Sequence, residues 1–244
     1  LELVNKLWTC HDCKKKLDTI QKAFQNSAIL PELNEEPTSK ICDMAGKIHP
    51  YLTKMSEIVH FFTTFQHNMS KIFDHLYIGA EEDATNINQL RDAGITHVVN
   101  CAEVYVNTSQ EFYGDYIKYY GFEAEDDDEY DIMQHFEPVY DFIEEARTSG
   151  GKALVHCLMG VNRSAALCVA YTMVHKDVGP LTATSLVERS RGHILANENF
   201  QKQVVQFADE RDLLSKDEEM LHLSKKELHQ YCKQNHIAEI LKDN

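Results

Sequence analysis

The chain has 244 residues, 43% of them hydrophobic and 26% charged, a balance that suits a folded protein with a sizeable core and excludes a low-complexity chain. Its 39 acidic residues outnumber the 24 basic ones, and the net charge of −15 argues against partners gripped by a broad basic face, namely nucleic acid and anionic membrane. Seven cysteines, an odd number at irregular spacing, do not read as a disulfide framework and point to a reducing compartment inside the cell, the cytoplasm or the nucleus.

Residues 1–70 are predicted to form a helical extension. The opening ten residues have neither a basic stretch nor an apolar core, so no signal peptide is expected there. Leu3, Leu7, Leu17, Ile20 and Phe24 recur at roughly helical spacing, Pro31 and Pro37 bracket an acidic linker, and a second helix is predicted from about Tyr51 to Phe65. Cys10 and Cys13 could begin a zinc site that Cys42, His49 and His60 complete; two thiols on an amphipathic helix is the other reading.

Residues 71–212 change character. Ile95–Val99, Tyr116–Tyr120 and Ala153–His156 are short β-branched or apolar runs and predict strands. Residues 133–148 predict a helix with Phe136, Tyr140 and Ile143 on one face. Alternation of strands and helices implies an α/β fold with helices on the faces of the sheet. The longest apolar run, Ala165–Val174, is about half of what a membrane span needs.

One stretch carries chemistry. The apolar run Ala153–His156 leads through Cys157, Leu158, Met159, Gly160, Val161 and Asn162 into Arg163, Ser164 and the helix predicted over Ala165–Val174. A strand that feeds a helix N-terminus through a short loop aims backbone N–H groups at one point, where an oxyanion can bind. Gly160 lets the backbone curl there. Those dipoles and the Arg163 guanidinium favour thiolate over thiol at Cys157. Arg163 can hold two oxygens of a phosphate bidentately, and Ser164 can donate a hydrogen bond to the sulfur when it leaves.

His156-Cys157-x5-Arg163-Ser164 resembles the signature of the cysteine-based protein phosphatases, and the flanks are similar to their dual-specificity branch. Those flanks are Ile78-Gly79, Asn88 to Leu90, Gly94 to Asn100, Ala170 to Met173, and Asn197 with Phe200. The opening Ile72 to Gly79 resembles the phosphatases of the slingshot type, which act on actin-depolymerising proteins. The resemblance implies a central mixed sheet flanked by helices, with a catalytic domain over 71–212. It implies a thiolate, Cys157, that attacks phosphorus and forms a phosphocysteine, with Arg163 and the backbone of Leu158 to Asn162 binding the phosphate. Gly121 to Asp126 resembles the general-acid loop, which makes Asp126 the acid and then the base that activates water. Asn197 would steady the phosphate loop from behind; a helix N-cap reads equally well from the residues. His156 either orients the loop or is a packed core histidine, and Cys168 is core or a resolving thiol for oxidised Cys157.

Such a reaction uses no metal or organic cofactor, and its partner is a phosphoprotein substrate. Leu158, Met159, Val161 and Asn162 are uncharged, which disfavours polyanionic substrates such as inositol lipids or RNA 5′-phosphates. A phosphoprotein-binding scaffold without turnover is the alternative, though such proteins usually lack the Cys or the Arg. Residues 213–244 return to charged helix, with a capping box at Ser224 and Glu227. That segment is expected to be a solvated face, or one that docks a protein partner, and dispensable for chemistry.

Overall fold

The computed structural model describes residues 36–59 and 68–233, with side chains from residue 44 onward. The chain divides into two units, Leu1–Ala45 and Gly46–Asn244. Of the first, only the start of helix α1 (Glu36–Ile58) is described. Cys10, Cys13 and His60, the side chain of Cys42, and the helix expected over residues 3–24 lie outside the described residues.

Helix α1 starts well before the expected Tyr51 and carries Pro50 inside it. Proline removes one rung of the hydrogen-bond ladder. The buried stripe Ile48, Tyr51, Met55 and Ile58 runs across the proline at spacings of three and four, and burial of that stripe outweighs the missing rung. The helix ends at Ile58, and residues 60–65 of the segment expected to reach Phe65 are among the residues not described.

Five strands form one mixed sheet: β1 (Ser70–Phe73), β2 (Leu76–Gly79), β3 (His97–Asn100), β4 (Lys118–Gly121) and β5 (Ala153–His156), in the order β1-β2-β5-β3-β4. Only β1 runs antiparallel to its neighbour. The strands β3 and β5 are buried along their whole length, as central parallel strands are. Register aligns Gly79, His156, Asn100 and Gly121 in one row at the carboxyl edge. The loop that begins at Cys157 therefore leaves the middle of the sheet at the edge where open α/β sheets bind ligands.

Strands β3 and β4 begin two residues later than the sequence suggested. After α2 (Glu81–Thr85) comes α3 (Ile87–Ala93), which ends on Gly94 at φ +75°, and the Ile95 N–H folds back to the Leu90 carbonyl. Ile95 thus belongs to a helix C-cap and not to the ladder. After α4 (Gln110–Tyr113), the Gln110 amide takes the Ile117 carbonyl at 2.9 Å, so pairing starts only at Lys118.

Helix α5 (Phe136–Thr148) buries Phe136, Val139, Ile143 and Ala146. Helix α6 (Arg163–Lys176) is buried on every side from Arg163 to Met173 and is the central helix of the domain. Helices α7 (Pro180–Arg191) and α8 (Glu198–Glu210) follow.

The segment after residue 212 differs from the expected solvated face. Leu213, Leu214, Met220, Leu228 and Cys232 are buried, on a 3₁₀ turn (Leu214–Asp217), α9 (Glu218–Leu221) and α10 (Lys225–Lys233). Asp217, 1% exposed, caps α7 by accepting from the N–H groups of Leu181 (2.7 Å) and Thr182 (3.1 Å). The Ser224 capping box forms as the sequence suggested, with Ser224 N to Glu227 Oε2 at 2.8 Å and Glu227 N to Ser224 Oγ at 3.4 Å. Among the described residues no helix is long and apolar enough to cross a membrane.

Candidate active site

The loop Cys157–Asn162 is held from outside by its carbonyls. Leu158 O accepts from the Glu81 N–H at 3.1 Å, and Val161 O from the Leu195 N–H at 2.8 Å. The Arg191 guanidinium donates from Nη2 to Met159 O (3.0 Å) and from Nε to Gly160 O (3.2 Å). With four consecutive carbonyls tied outward, the loop amides face inward toward Cys157. Gly160 sits at φ +67°, and a Cβ there would lie 2.4 Å from Gly79 O and 2.6 Å from Arg191 Nη2, so no other residue fits. Leu195 holds φ +50°, a left-handed conformation rare for leucine, and its N–H is the one that restrains Val161.

Cys157 Sγ accepts from Gly160 N at 3.2 Å and from Ser164 Oγ at 3.3 Å. Burial pushes the thiol pKa up. The Ser164 hydroxyl and amide, the Arg163 charge and the Val161 amide pull it down by more, so the net direction is below the ordinary thiol value. Arg163 is 5% exposed; Nη1 donates to Ala124 O at 3.0 Å, while Nε has no hydrogen-bond partner. Arg163 thus lines the cavity as a buried guanidinium with one N–H unpaired among the described residues.

The cavity, about 260 Å³, is lined by Asp126, Cys157, Met159, Val161, Asn162, Arg163 and His193. Asp126, expected from the loop after β4, is thus at the same cavity as the sulfur. Its carboxylate accepts from Asn162 Nδ2 (3.2 and 3.1 Å) and from Asn197 Nδ2 (3.0 Å), and its Oδ2 lies 3.9 Å from Arg163 Nε. The neighbouring Asp127 turns away and caps the N–H groups of Glu129 and Tyr130. The loop is pinned below by Gln203, whose Oε1 accepts from the Ile132 N–H, and by Phe122 stacked on His135 at 3.9 Å.

Asn197 is an N-cap, one of the two readings its position offered. It caps α8, accepting from Asn199 N and Phe200 N, and its Nδ2 also holds Asp126 and the Asp127 carbonyl. It reaches the phosphate loop through its own N–H, which donates to Asn162 Oδ1 at 3.1 Å. His156 is fully buried, its Nδ1 3.3 Å from Cys157 O; burial brings its pKa down to about 4, with the Cys157 carbonyl opposing. It is a neutral imidazole under the sulfur at physiological pH. Cys168 and Cys101 are both buried thiols whose pKa values burial raises, Cys168 to beyond the usual thiol range.

The sequence reading missed four contributors. Arg191 restrains the loop; Tyr105 lays its ring 5.6 Å from the Arg163 guanidinium and donates to Glu125; His193 lines the mouth; and the Asn162 side chain, set aside in favour of its backbone, grips Asp126. Asp83 fixes the first turn of α2 by accepting from Ala80 N and Met69 N.

Comparison with known proteins agrees with this geometry. A family model, "Dual specificity phosphatase, catalytic domain", matches residues 76–210, more than half of the chain. The rat dual specificity protein phosphatase 26 is 34% identical over 167 residues, which cover 67% of this chain and 79% of that protein. Drosophila Slingshot is 32% identical over 158 residues, 65% of this chain but 15% of that much longer protein. Among solved structures, that of DUSP15 superposes with a TM-score of 0.53 at 26% identity, covering 69% of this chain and 96% of the other. The human tyrosine phosphatase-like serine/threonine/tyrosine-interacting protein gives a TM-score of 0.55 at 25% identity, covering 60% and 99%. The chain belongs to the dual specificity phosphatase family of the cysteine-based phosphatases, and it is a protein phosphatase whose substrates are phosphoproteins.

Proposed function

We propose that the chain hydrolyses phosphotyrosine and phosphoserine or phosphothreonine in proteins through a phosphocysteine intermediate. The outward restraint of four consecutive loop carbonyls is the observation that carries this reading, because it leaves the loop amides, with the Arg163 guanidinium beside them, for the phosphate oxygens. Cys157 Sγ attacks phosphorus in line, the P–O bond to the substrate breaks, and Asp126 delivers a proton to the departing oxygen. Asp126, now a carboxylate, takes a proton from water as the water attacks the phosphocysteine. The thiolate leaves with the Ser164 hydroxyl donating to it, as it does at 3.3 Å in the resting site. Arg163 gathers the equatorial oxygens in both steps.

The test is phosphate release from two peptides of one sequence, one bearing phosphotyrosine and the other phosphothreonine. The parent protein should release phosphate from both, and Cys157→Ser should release none above background. Tight peptide binding by the parent without release would favour a phosphoprotein-binding scaffold instead.

A further inference from the structure

At the end of the sheet away from Cys157, three metal-ligating side chains from three elements converge. His75 lies in the turn between β1 and β2, Glu144 on α5, and His175 in the last turn of α6. One ligand atom of each lies within 4.8 Å of the others, and among the described residues this is the one such trio. Glu144 Oε1 and His175 Nδ1 are 3.6 Å apart, close to the spacing of two ligands that each sit about 2.0–2.2 Å from one tetrahedral ion.

The Tyr171 hydroxyl stands among the three donors. It is 2.7 Å from His75 Nε2, 2.7 Å from Glu144 Oε1 and 3.3 Å from His175 Nδ1. The donors therefore already surround one small central group. The His75 ring is also fixed before any ion arrives, with Phe73 stacked on it at a centroid distance of 5.6 Å. Prepositioned ligands lower the ordering entropy that binding must overcome.

We propose that His75, Glu144 and His175 form a binding site for a divalent transition-metal ion of the zinc class. Two imidazoles and one carboxylate suit zinc or cobalt and do not suit calcium or magnesium, which take oxygen ligands. The ion takes the place that the Tyr171 hydroxyl holds among the three donors, which requires the buried Tyr171 side chain to shift within the core, and water completes the coordination. It ties the β1–β2 turn, α5 and α6 together. It takes no part in phosphate chemistry: Arg163 and His175 are twelve residues apart on one helix, roughly 18 Å at 1.5 Å per residue. The site is thus a clamp on the fold, and it stands whether or not the catalytic reading does.

The test uses the untagged full chain carrying Cys157→Ser, so that the reactive thiol cannot bind metal, titrated with Co²⁺ and with Zn²⁺ after chelator treatment. One ion per chain should bind, with the visible absorption of four-coordinate Co²⁺. His175→Gln and Glu144→Gln, tested separately in that background, should each weaken binding at least about 10-fold, since even indirect ligand partners are worth 10–100-fold. Replacing both Cys10 and Cys13 by Ser should leave the affinity unchanged. Parent affinity in both the His175→Gln and Glu144→Gln chains overturns the proposal. So does the absence of bound metal at micromolar concentrations, or binding lost only with Cys10 and Cys13.

Discussion

The Nδ2 of Asn162, in the phosphate loop, donates to both carboxylate oxygens of Asp126, in the loop after β4, at 3.2 and 3.1 Å. This contact couples Asp126, the proposed acid, to the loop of Cys157 across the cavity, and Asn197 reinforces it from α8 at 3.0 Å. Asp126→Asn should lower kcat by about 10²–10⁴ for a substrate with a poor leaving group, and by much less for one that leaves without a proton. Asn162→Ala should show the same leaving-group dependence at smaller size, because it frees the carboxylate without removing it. Asp127→Asn should stay within a few-fold of the parent, since Asp127 caps its own loop. Steady-state kinetics with alkyl and nitroaryl phosphates read all three.

The lowered thiol pKa of Cys157 has a definite sign in pH. The thiolate is populated as pH rises through the folded-state pKa, which lies below that of an ordinary thiol. Iodoacetate should therefore inactivate the protein at pH values where a free cysteine is inert, and inorganic phosphate should protect. The Ser164 hydroxyl leads the interactions that lower the pKa. Ser164→Ala should move the alkylation midpoint up, by an amount read from the rate of alkylation against pH.

Arg191 tests whether the loop is held from behind. Its guanidinium also donates to Asn68 O, at 2.8 Å, and the side chain is 1% exposed. Arg191→Met would leave the Met159 and Gly160 carbonyls without their donors, at roughly 1–3 kcal/mol each. kcat/KM should fall by about 10- to 1,000-fold, and the affinity for vanadate should fall with it. Arg191→Lys should restore only part of this, since one ammonium cannot match two carbonyls and Asn68 together.

The phosphate loop was legible because its parts are contiguous. Cys157, Gly160, Arg163 and Ser164 lie within eight residues, and the strand and helix around them have strong patterns. Asp126 could be named only through resemblance, because seven acidic residues crowd the stretch from Glu123 to Asp131 and nothing local distinguishes one. Arg191 was not legible at all: an arginine in the last turn of a helix reads as a solvated cation, and its partners are about 30 residues away. Asp217 escaped for the same reason, since its capping partners on α7 precede it by 35 and 36 residues. Helix α1 starts earlier than the expected Tyr51 and carries Pro50 inside it, and the stripe that buries it is set by tertiary packing rather than by a local signal.

Asp217 ties the segment after residue 212 to the fold, a matter separate from whether that segment is dispensable for chemistry. Its carboxylate is the cap of α7, and a Cβ at Gly179 would strike it at 2.2 Å, so the contact is tight. Asp217→Ala should cost about 2 kcal/mol, a cap loss with two N–H groups left buried. A chain cut at residue 212 also loses the burial of Leu214, Met220 and Leu228, and should melt well below the parent in thermal unfolding. An unchanged melting temperature on truncation would mean that this segment adds nothing to the fold.

On the proposed mechanism Cys157 carries the phosphoryl group. This is tested most directly by mixing the protein with excess substrate, quenching with a denaturant at a pH where thiophosphate esters survive, and locating the added phosphate by mass spectrometry. One phosphate per chain should be found, on the peptide containing Cys157, at higher occupancy in Asp126→Asn when the substrate has a good leaving group and hydrolysis lacks its base. Turnover that persists in Cys157→Ser, or phosphate found on any other residue, would contradict it.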